Sequence, residues 1–267
     1  MSLGISDQQY IQYSKQMLLA DFGEYGQQAV MNASVVIIGL GGLGQLVAQY
    51  LSASGMKQLY LFDGDVVDPS NLPRQILFDH HDIGKNKAAV TAAKLQAKNA
   101  DGRIIAKQVF VSDENHQTVL DNYKVDMIID CSDNFNTRHL INKLAIKYRC
   151  PLVSAAISAD HGQYFMLIPE QDCNFVMPHG CYHCLYPADT YIENSCQHTG
   201  VLGPAVGVLA SMQALAVLNY LSGRYQDYGV LHRFDAKGFS WSKVAMTKDE
   251  QCPVCQNKPS NMGEHEA

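Results

Sequence analysis

The stretch Ser34-Val-Val-Ile-Ile-Gly-Leu-Gly-Gly-Leu-Gly44 joins a β-branched run to a glycine-rich turn. The run Ser34–Ile38 is typical of a buried strand, and Gln45–Gly55 has the pattern of a helix that ends at a glycine. A strand, a glycine loop and a helix in this order begin a dinucleotide-binding fold. The stretch therefore predicts an α/β protein built around a mostly parallel sheet.

The glycine loop also predicts a nucleotide site. Gly39, Gly41 and Gly44 have the spacing that lets the backbone approach a phosphate or sugar, and the helix N-terminus after them favours negative charge. Asp63, at the end of the next predicted strand, is placed to bind ribose hydroxyls. A tight packing turn would explain the glycines but not the acid. The combination predicts an adenosine-containing ligand without distinguishing NAD, FAD and ATP.

Strands and helices alternate along the first part of the chain. Further strands are predicted at Gln58–Phe62, Arg103–Val111, Val125–Asp130 and Pro151–Ala156, with helices at 7–32, Lys85–Asn99 and Thr137–Arg149. This alternation predicts parallel pairing with right-handed crossovers. We therefore expect a nucleotide-binding half over about residues 30–160.

The pattern changes in the second part of the chain. Predicted strands at Gln163–Ile168, Val230–Ala236 and Ser240–Met246 no longer alternate with helices, and Lys237-Gly238 predicts a hairpin turn. An antiparallel portion is therefore expected to follow the parallel one. We expect one domain over residues 1–255, whose mixed half spans about 161–255, and a flexible tail over 256–267.

Composition excludes several classes of protein. The 267 residues are 47% apolar and 17% charged, which allows a large core and argues against disorder. The net charge of −6 gives no electrostatic footprint for nucleic acid. No secretory signal is visible near Met1, so a cytoplasmic location is expected. Eight cysteines are too few for a disulfide scaffold, and in a reducing cytosol paired cysteines favour metal binding or catalysis.

One apolar segment tests the expectation that no membrane is involved. Asn194–Gly223 contains no charged Asp, Glu, Lys or Arg, and Val201–Leu218 is long enough to raise the question of a membrane span. Glycine, proline and amide residues interrupt it, and many of its apolar positions are alanine or valine. We predict a buried helix or a subunit interface.

Charged side chains collect just beyond the predicted strand ends. They are Asp63, Arg74, Lys87 and Asp133. Arg74 offers a planar bidentate donor to phosphate, Lys87 offers a point charge, and Asp133 can hold Mg²⁺ that bridges phosphates. Hydride transfer needs little of this, whereas nucleotidyl transfer must neutralise charge on the α-phosphate and the pyrophosphate. The set therefore favours nucleotidyl transfer.

Three motifs carry a family resemblance: Gly39-Leu-Gly-Gly-Leu-Gly44, Ser70-Asn-Leu-Pro-Arg-Gln75 and Asp130-Cys-Ser-Asp-Asn134. Together they resemble the ThiF/MoeB/HesA family, bacterial relatives of the ubiquitin-activating enzymes, over about residues 7–255. The resemblance implies adenylation of the C-terminal glycine of a small ubiquitin-like sulfur carrier protein that ends in Gly-Gly. It also implies a Rossmann-like sheet with an added antiparallel portion, usually in a homodimer.

The resemblance assigns residues to the ATP and Mg²⁺ site. By motif these are Gly42, Asp63, Ser70, Asn71, Arg74, Lys87, Asp133 and Asn134, with Asp133 on Mg²⁺. Lys15 stands where the family usually has an arginine that reaches the phosphates of the partner subunit's site. Lysine keeps the charge but loses the planar fork. Pro73 stands where many members have glutamine, and it removes a backbone donor.

Two pairs of cysteines predict a metal site. Cys181-Tyr-His-Cys184 and Cys252-Pro-Val-Cys255 can each present two thiolates to one tetrahedral ion. Two reducible disulfides or inert thiols are the alternatives. We expect one Zn²⁺, which the resemblance also implies. Four thiolate ligands would make it structural.

A fifth cysteine is a candidate for sulfur chemistry. Cys196 lies in the polar stretch Glu193-Asn-Ser-Cys-Gln-His-Thr-Gly200, where a partly exposed thiol is expected. The resemblance is closest here to the thiamine-pathway branch, whose cysteine at this position can bond the activated carrier. The alternative is a loop cysteine without chemical importance. Cys131, Cys150 and Cys173 are interpreted as packing residues.

The leading hypothesis is an adenylyltransferase of a sulfur carrier for thiamine thiazole synthesis. The alternative pathway is molybdopterin synthesis. Rivals from other classes are an NAD- or FAD-dependent oxidoreductase and a non-catalytic, zinc-stapled scaffold that binds a carrier. Only 12 residues follow Cys255, so the sulfur donor is expected to be a separate protein.

Overall fold

A computed structural model describes residues 4–116, 123–169, 177, 179–187, 200–225 and 227–256. Its strands are β1 (Ser34–Ile38), β2 (Gln58–Phe62), β3 (Arg103–Lys107), β4 (Met127–Asp130), β5 (Leu152–Ser158), β6 (His161–Leu167), β7 (Val230–Asp235) and β8 (Ser240–Ala245). Its α-helices are α1 (Asp7–Met17), α2 (Gly23–Asn32), α3 (Gly42–Ala53), α4 (Lys87–Lys98), α5 (Phe135–Lys147), α6 (Tyr182–Leu185) and α7 (Gly203–Leu221). Short 3-10 turns occupy Pro69–Asn71 and His80–Asp82.

The strands form one sheet with the order β3-β2-β1-β4-β5-β6-β7-β8. The first five strands in this order, β3, β2, β1, β4 and β5, pair in parallel. The strands β6, β7 and β8 add antiparallel pairs at one side. The expected fold class is therefore confirmed, as is the hairpin between β7 and β8, where Asp235 pairs with Ser240.

Two predicted boundaries were wrong for identifiable reasons. The helix expected over 7–32 is two helices, because Gly23 has a φ of +52° and the chain turns so that Phe22 becomes buried. The strand expected over 103–111 ends at Lys107. β3 is the outermost strand, and its neighbour β2 ends at Phe62, the partner of Lys107. Residues beyond Lys107 therefore have no strand to pair with.

The apolar helix α7 packs against α3 and against the sheet. Its buried residues include Val206, Leu209 and Gln213, and the first two belong to the core cluster that also contains Leu40 and Leu43 of the glycine loop. By length and composition α7 is the one helix of the described residues that is apolar enough to cross a membrane, yet 44% of its most apolar window is buried inside the protein. Burial on one face fits the expected core helix.

Gly44 lets α3 begin against the end of β1. A Cβ added at Gly44 would lie 1.8 Å from the carbonyl oxygen of Gly39, whereas a Cβ at Gly207 in α7 would meet nothing within 4 Å. We expect Gly44→Ala to lower the free energy of unfolding by about 3 kcal/mol or more, because backbone must move. Gly207→Ala, also in a helix, should raise it by up to about 1 kcal/mol. Urea unfolding of both variants measures this, and equal effects would contradict it.

Candidate active site

The carboxyl ends of β1, β2 and β4 meet at one edge of the sheet, because parallel neighbours run in the same direction. The glycine loop follows β1 there. Gly39 has a φ of +90°, and a Cβ on it would lie 2.7 Å from the carbonyl oxygen of Cys131, in the turn after β4. The loop after β1 and the turn after β4 are therefore in direct backbone contact.

Asp63 ties the glycine loop to the end of β2. Its carboxylate accepts hydrogen bonds from the backbone N–H of Leu40 at 2.6 Å and of Asp65 at 2.8 Å. Burial raises the pKa of Asp63, and the hydrogen bonds and the charge of Lys87 counteract it only in part. Each carboxylate oxygen can accept a further hydrogen bond. Asp63 therefore holds the glycine loop in place and can still accept a hydrogen bond from a hydroxyl of a ligand.

Lys87 is the first residue of α4 and is buried beside the loop that follows β2. Its Nζ lies 2.5 Å from the Asp65 carboxylate, and its backbone N–H donates to the Asp65 carbonyl at 2.9 Å. Asn86 caps α4 and also donates to the carbonyl oxygens of Asp63 and Asp65. The amino group of Lys87 is thereby held at the end of β2, next to Asp63.

The Ser70–Gln75 segment forms a compact turn at this edge. Ser70 donates its hydroxyl to Asp68 at 2.6 Å, and Arg74 donates from Nη1 to the Ser70 carbonyl at 2.9 Å. The side chains of Asn71 and Gln75 are buried, and within the described residues their Oδ1 and Oε1 atoms have no hydrogen-bond partner. Buried acceptors of this kind cost free energy unless a donor reaches them. They fit a ligand that brings hydrogen-bond donors.

Asp133 lies at the N-terminus of α5 and is exposed. One of its oxygens accepts from Asn134 Nδ2 at 3.3 Å, while Asn134 caps the helix through the N–H of Thr137. An exposed carboxylate at the carboxyl ends of the strands could hold Mg²⁺, which keeps several waters and uses few protein ligands.

Asp130 and Gln213 position this turn, and neither of them was named as a site residue from the sequence. The buried Asp130 carboxylate accepts from the N–H and the hydroxyl of Ser132 and from the hydroxyl of Ser154, at 2.6–2.9 Å. Gln213 of α7 donates to the Asp130 carbonyl at 2.8 Å. The sequence signal that could have identified Asp130 is an acid at a strand end followed two residues later by serine. The signal for Gln213 is only its position in an apolar helix.

Lys15 is not part of this edge within its own chain. It is exposed on α1, whose Tyr13 and Gln16 contact Gly55 and Ser54 at the carboxyl end of α3. The glycine loop lies at the other end of α3, about 18 Å away for a helix of 12 residues. Lys15 therefore lies at the far end of the helix from the candidate site.

Cys196 lies outside the described residues. The chain is described again from Gly200, and α7 begins at Gly203, where a Cβ would lie 2.5 Å from the carbonyl oxygen of Pro73. Gly203 is thus in contact with the turn that contains Arg74.

The four paired cysteines form one cluster. Their sulfur atoms all lie within 4.8 Å of one another, with 3.9 Å between Cys181 and Cys184, 3.8 Å between Cys181 and Cys252, and 3.5 Å between Cys184 and Cys255. Tetrahedral thiolates about 2.3 Å from a zinc ion would be about 3.8 Å apart. The hydrogen bond from Cys255 lowers the pKa of the Cys181 thiol. The cluster can bind a metal ion.

The comparison with protein families decides the identity of the fold. A model of the ThiF family matches residues 13–254. The chain belongs to the ThiF family. This confirms the resemblance that the three sequence motifs carried.

Curated relatives match more than nine-tenths of the chain. A sulfur carrier protein ThiS adenylyltransferase of Escherichia coli K12 is 38% identical over 94% of this chain and 97% of that protein. A sulfur carrier protein adenylyltransferase of Thermus thermophilus is 37% identical over 93% of this chain and 91% of that protein. An adenylyltransferase and sulfurtransferase MOCS3 of Xenopus laevis is 38% identical, and the match spans 54% of that protein.

Solved structures share the ThiF fold. Escherichia coli MccB with MccA-N7isoAsn aligns with a TM-score of 0.79 and 23% identity over 93% of this chain and 75% of that chain. PaaA aligns with a TM-score of 0.75 and 20% identity, over 93% of this chain and 77% of that chain. At this level of identity the likeness concerns the fold.

Proposed function

We propose that the protein adenylylates the C-terminal glycine of a ubiquitin-like sulfur carrier protein with ATP and Mg²⁺. One observation carries this proposal. In a chain of the ThiF family, the glycine loop, Lys87 with its partner Asp65, and the turn that contains Asp133 all lie at the same edge of the sheet. The full-length relatives are named as adenylyltransferases of sulfur carriers. That enzyme class is favoured over the oxidoreductase and the non-catalytic scaffold.

Each group of site residues is proposed to bind a different part of the nucleotide. Gly39, Gly41, Gly42 and Gly44 let the backbone approach the nucleotide, and Asp63 accepts from the ribose hydroxyls. Ser70 through its hydroxyl, Asn71 through its amide Nδ2 and Arg74 through its guanidinium donate to the phosphates from one side. Lys87 approaches from the other side, where ATP competes with Asp65 for its amino group. Asp133, oriented by Asn134, supplies a carboxylate for Mg²⁺, which neutralises phosphate charge when it is bound.

The chemistry requires positioning more than proton transfer. The terminal carboxylate of the carrier is already a nucleophile, and its oxygen attacks the α-phosphorus. The bond from that phosphorus to the bridging oxygen breaks, and pyrophosphate leaves with the electron pair. Arg74 and Lys87 stabilise the negative charge that develops on these oxygens. The product is an acyl-adenylate that a sulfur nucleophile can attack with loss of AMP.

Two residues are proposed to act beyond the phosphate site. Lys15 lies far from the site of its own chain, so it would act in the site of a partner subunit in a homodimer. Cys196 lies outside the described residues, seven positions before Gly203 in the sequence. It is proposed to form a covalent bond with the activated carrier, and the sulfur comes from a separate donor protein.

The four-cysteine cluster is proposed to hold a structural Zn²⁺. The S···S distances fit a tetrahedral ion, and all four positions would be taken by thiolates. The ion would tie Cys252 and Cys255, near the end of the described chain, to Cys181 and Cys184 of α6 and its N-cap, and so stabilise the half of the molecule proposed to receive the carrier. Thiolates stay reduced in the cytoplasm, the proposed location.

The proposed pathway is thiamine thiazole synthesis. A relative that matches over 94% of this chain and 97% of its own length is named for ThiS. The sequence around Cys196 also resembles that branch. Molybdopterin synthesis is the second candidate, since a MOCS3 protein is equally identical in sequence.

ATP–pyrophosphate exchange tests the proposed function. With folded, metal-loaded protein, we expect label to move from pyrophosphate into ATP only when a carrier ending in Gly-Gly is present, because the reverse reaction needs the acyl-adenylate. ThiS-like and MoaD-like carriers are compared side by side, and a carrier that lacks its last two glycines is the control. Absence of exchange with every carrier would overturn the proposal. Faster exchange with one carrier selects the pathway.

A further inference from the structure

Helix α5 lies between the candidate phosphate site and the four-cysteine cluster. Its first residue follows Asn134, which caps it beside Asp133. Two of its buried side chains, Arg138 and Asn142, are four residues apart and so lie on one face of the helix. One side chain contacts the Asp133 turn and the other contacts the cysteine cluster.

Arg138 holds the turn that carries Asp133. Its Nη2 donates to the Ser132 carbonyl at 2.7 Å, and its guanidinium lies over the ring of Phe135 at 5.9 Å. On the other side the same turn is fixed by Asp130, which accepts from Ser132. The carbonyl that Arg138 binds belongs to the residue directly before Asp133, so a shift of Arg138 moves the peptide that positions the carboxylate.

Asn142 holds the first cysteine pair. Its Nδ2 donates to Cys181 Sγ at 3.5 Å, and its Oδ1 accepts from the N–H of Tyr182 at 3.0 Å. Asn142 is fully buried, so both bonds are made away from water. A thiolate that binds a metal ion is commonly oriented by such outer hydrogen bonds.

Tyr182 makes a second connection. It directly follows Cys181 and is 1% exposed. Its ring packs on α5, with centroids 5.0 Å from the His139 ring and 6.3 Å from the Phe135 ring. Close-packed side chains transmit small displacements rather than absorb them. The cysteine pair and α5 are thus joined by packing as well as by hydrogen bonds.

We propose that α5 couples metal binding at the cysteine cluster to the placement of Asp133, with Asn142 and Arg138 as its two positioning residues. The inference rests on the proposed function, because it takes Mg²⁺ and ATP to bind at Asp133 and a metal ion at the cysteines. A metal ion that draws the four sulfurs together fixes the positions of Cys181 and Tyr182. Through their contacts with Asn142 and with the rings on α5, these two residues fix the position of the helix. Coupling between two binding sites is reciprocal, so ATP with Mg²⁺ also stabilises the bound metal.

The test uses protein loaded with Co²⁺ at the cysteine cluster, whose visible absorption reports thiolate geometry. We expect ATP with excess Mg²⁺ to shift the Co²⁺ bands and to slow Co²⁺ loss to a chelator by about fivefold or more, the lower end of typical coupling. Arg138→Met and Asn142→Leu remove one connection each. Both should bring the effect of ATP on Co²⁺ loss below about twofold. Lys143→Met changes an exposed residue of the same helix and should keep the full effect.

Equilibrium dialysis of ATP distinguishes a failure of the coupling from a failure of the proposed function. If ATP with Mg²⁺ binds the wild-type protein but leaves both the bands and the rate of Co²⁺ loss unchanged, the coupling is overturned while the proposed function stands. The same holds if Arg138→Met and Asn142→Leu keep the full effect. If ATP does not bind and no exchange occurs with any carrier, both proposals fail. The wild-type arm needs no substitution, so a variant that does not fold leaves the test decisive.

Discussion

Arg74→Ala is expected to lower ATP–pyrophosphate exchange by about a thousandfold, with a smaller effect on ATP affinity. Removing one preorganised donor from a developing anion costs about 10²–10³ in rate, and the planar guanidinium offers two donors to phosphate oxygens. The fold should remain, because the hydrogen bond from this side chain to the Ser70 carbonyl contributes only about 1 kcal/mol. Exchange kinetics and circular dichroism measure the two effects.

Two further variants make the result specific. Arg74→Lys keeps the charge without the planar fork and should fall between wild type and Arg74→Ala. Arg103→Ala removes an exposed arginine at the start of β3, at the opposite edge of the sheet, and should leave exchange unchanged. Exchange by Arg74→Ala at the wild-type rate would refute the role given to this residue.

Loss of the metal at the cysteine cluster is expected to be the largest change in stability. We expect Cys252→Ser to lower the free energy of unfolding by about 4 kcal/mol, or roughly 10 °C in Tm, and to lower the metal content of the purified protein. Cys252 is 1% exposed, and its sulfur lies 3.8 Å from that of Cys181. A ligand lost from a structural site weakens metal binding, and that binding contributes directly to folding.

A cysteine outside the cluster provides the control. Cys150 is also buried, and burial raises the pKa of its thiol to about 12, so it stays protonated and inert. Cys150→Ser should change Tm by only a few degrees and leave the metal content unchanged. Metal analysis together with thermal unfolding separates the two variants. Equal Tm losses for both, or a metal content in Cys252→Ser equal to wild type, would argue against a structural metal.

Local patterns carried most of the fold. The strand β1 has the predicted bounds, and the glycine loop lies between it and α3 as expected. The wrong boundaries came from neighbours rather than from composition. Residues after Lys107 have strand-like sequence but no partner strand. The helical pattern is interrupted between Met17 and Gly23, where the ring of Phe22 is buried in the core. Pairing and burial of this kind are set by the whole sheet.

The candidate site shows the same division. Motif spacing was enough to nominate Asp63, Lys87 and Asp133, because residues after parallel strand ends meet at one edge. It did not indicate that Lys87 pairs with Asp65 or that Asp63 binds the glycine loop. These contacts join residues more than 20 positions apart in sequence.

By itself the sequence determined the family, the parallel and antiparallel portions and the two cysteine pairs, since each depends on residues close together in the chain. Only the tertiary structure decided that the cysteine pairs converge, that Lys15 lies far from its own chain's glycine loop, and that α5 connects Asp133 to Cys181. The physical reason is that crossovers and packing set distances between remote residues. A local pattern records the conformation of a segment but not its neighbours.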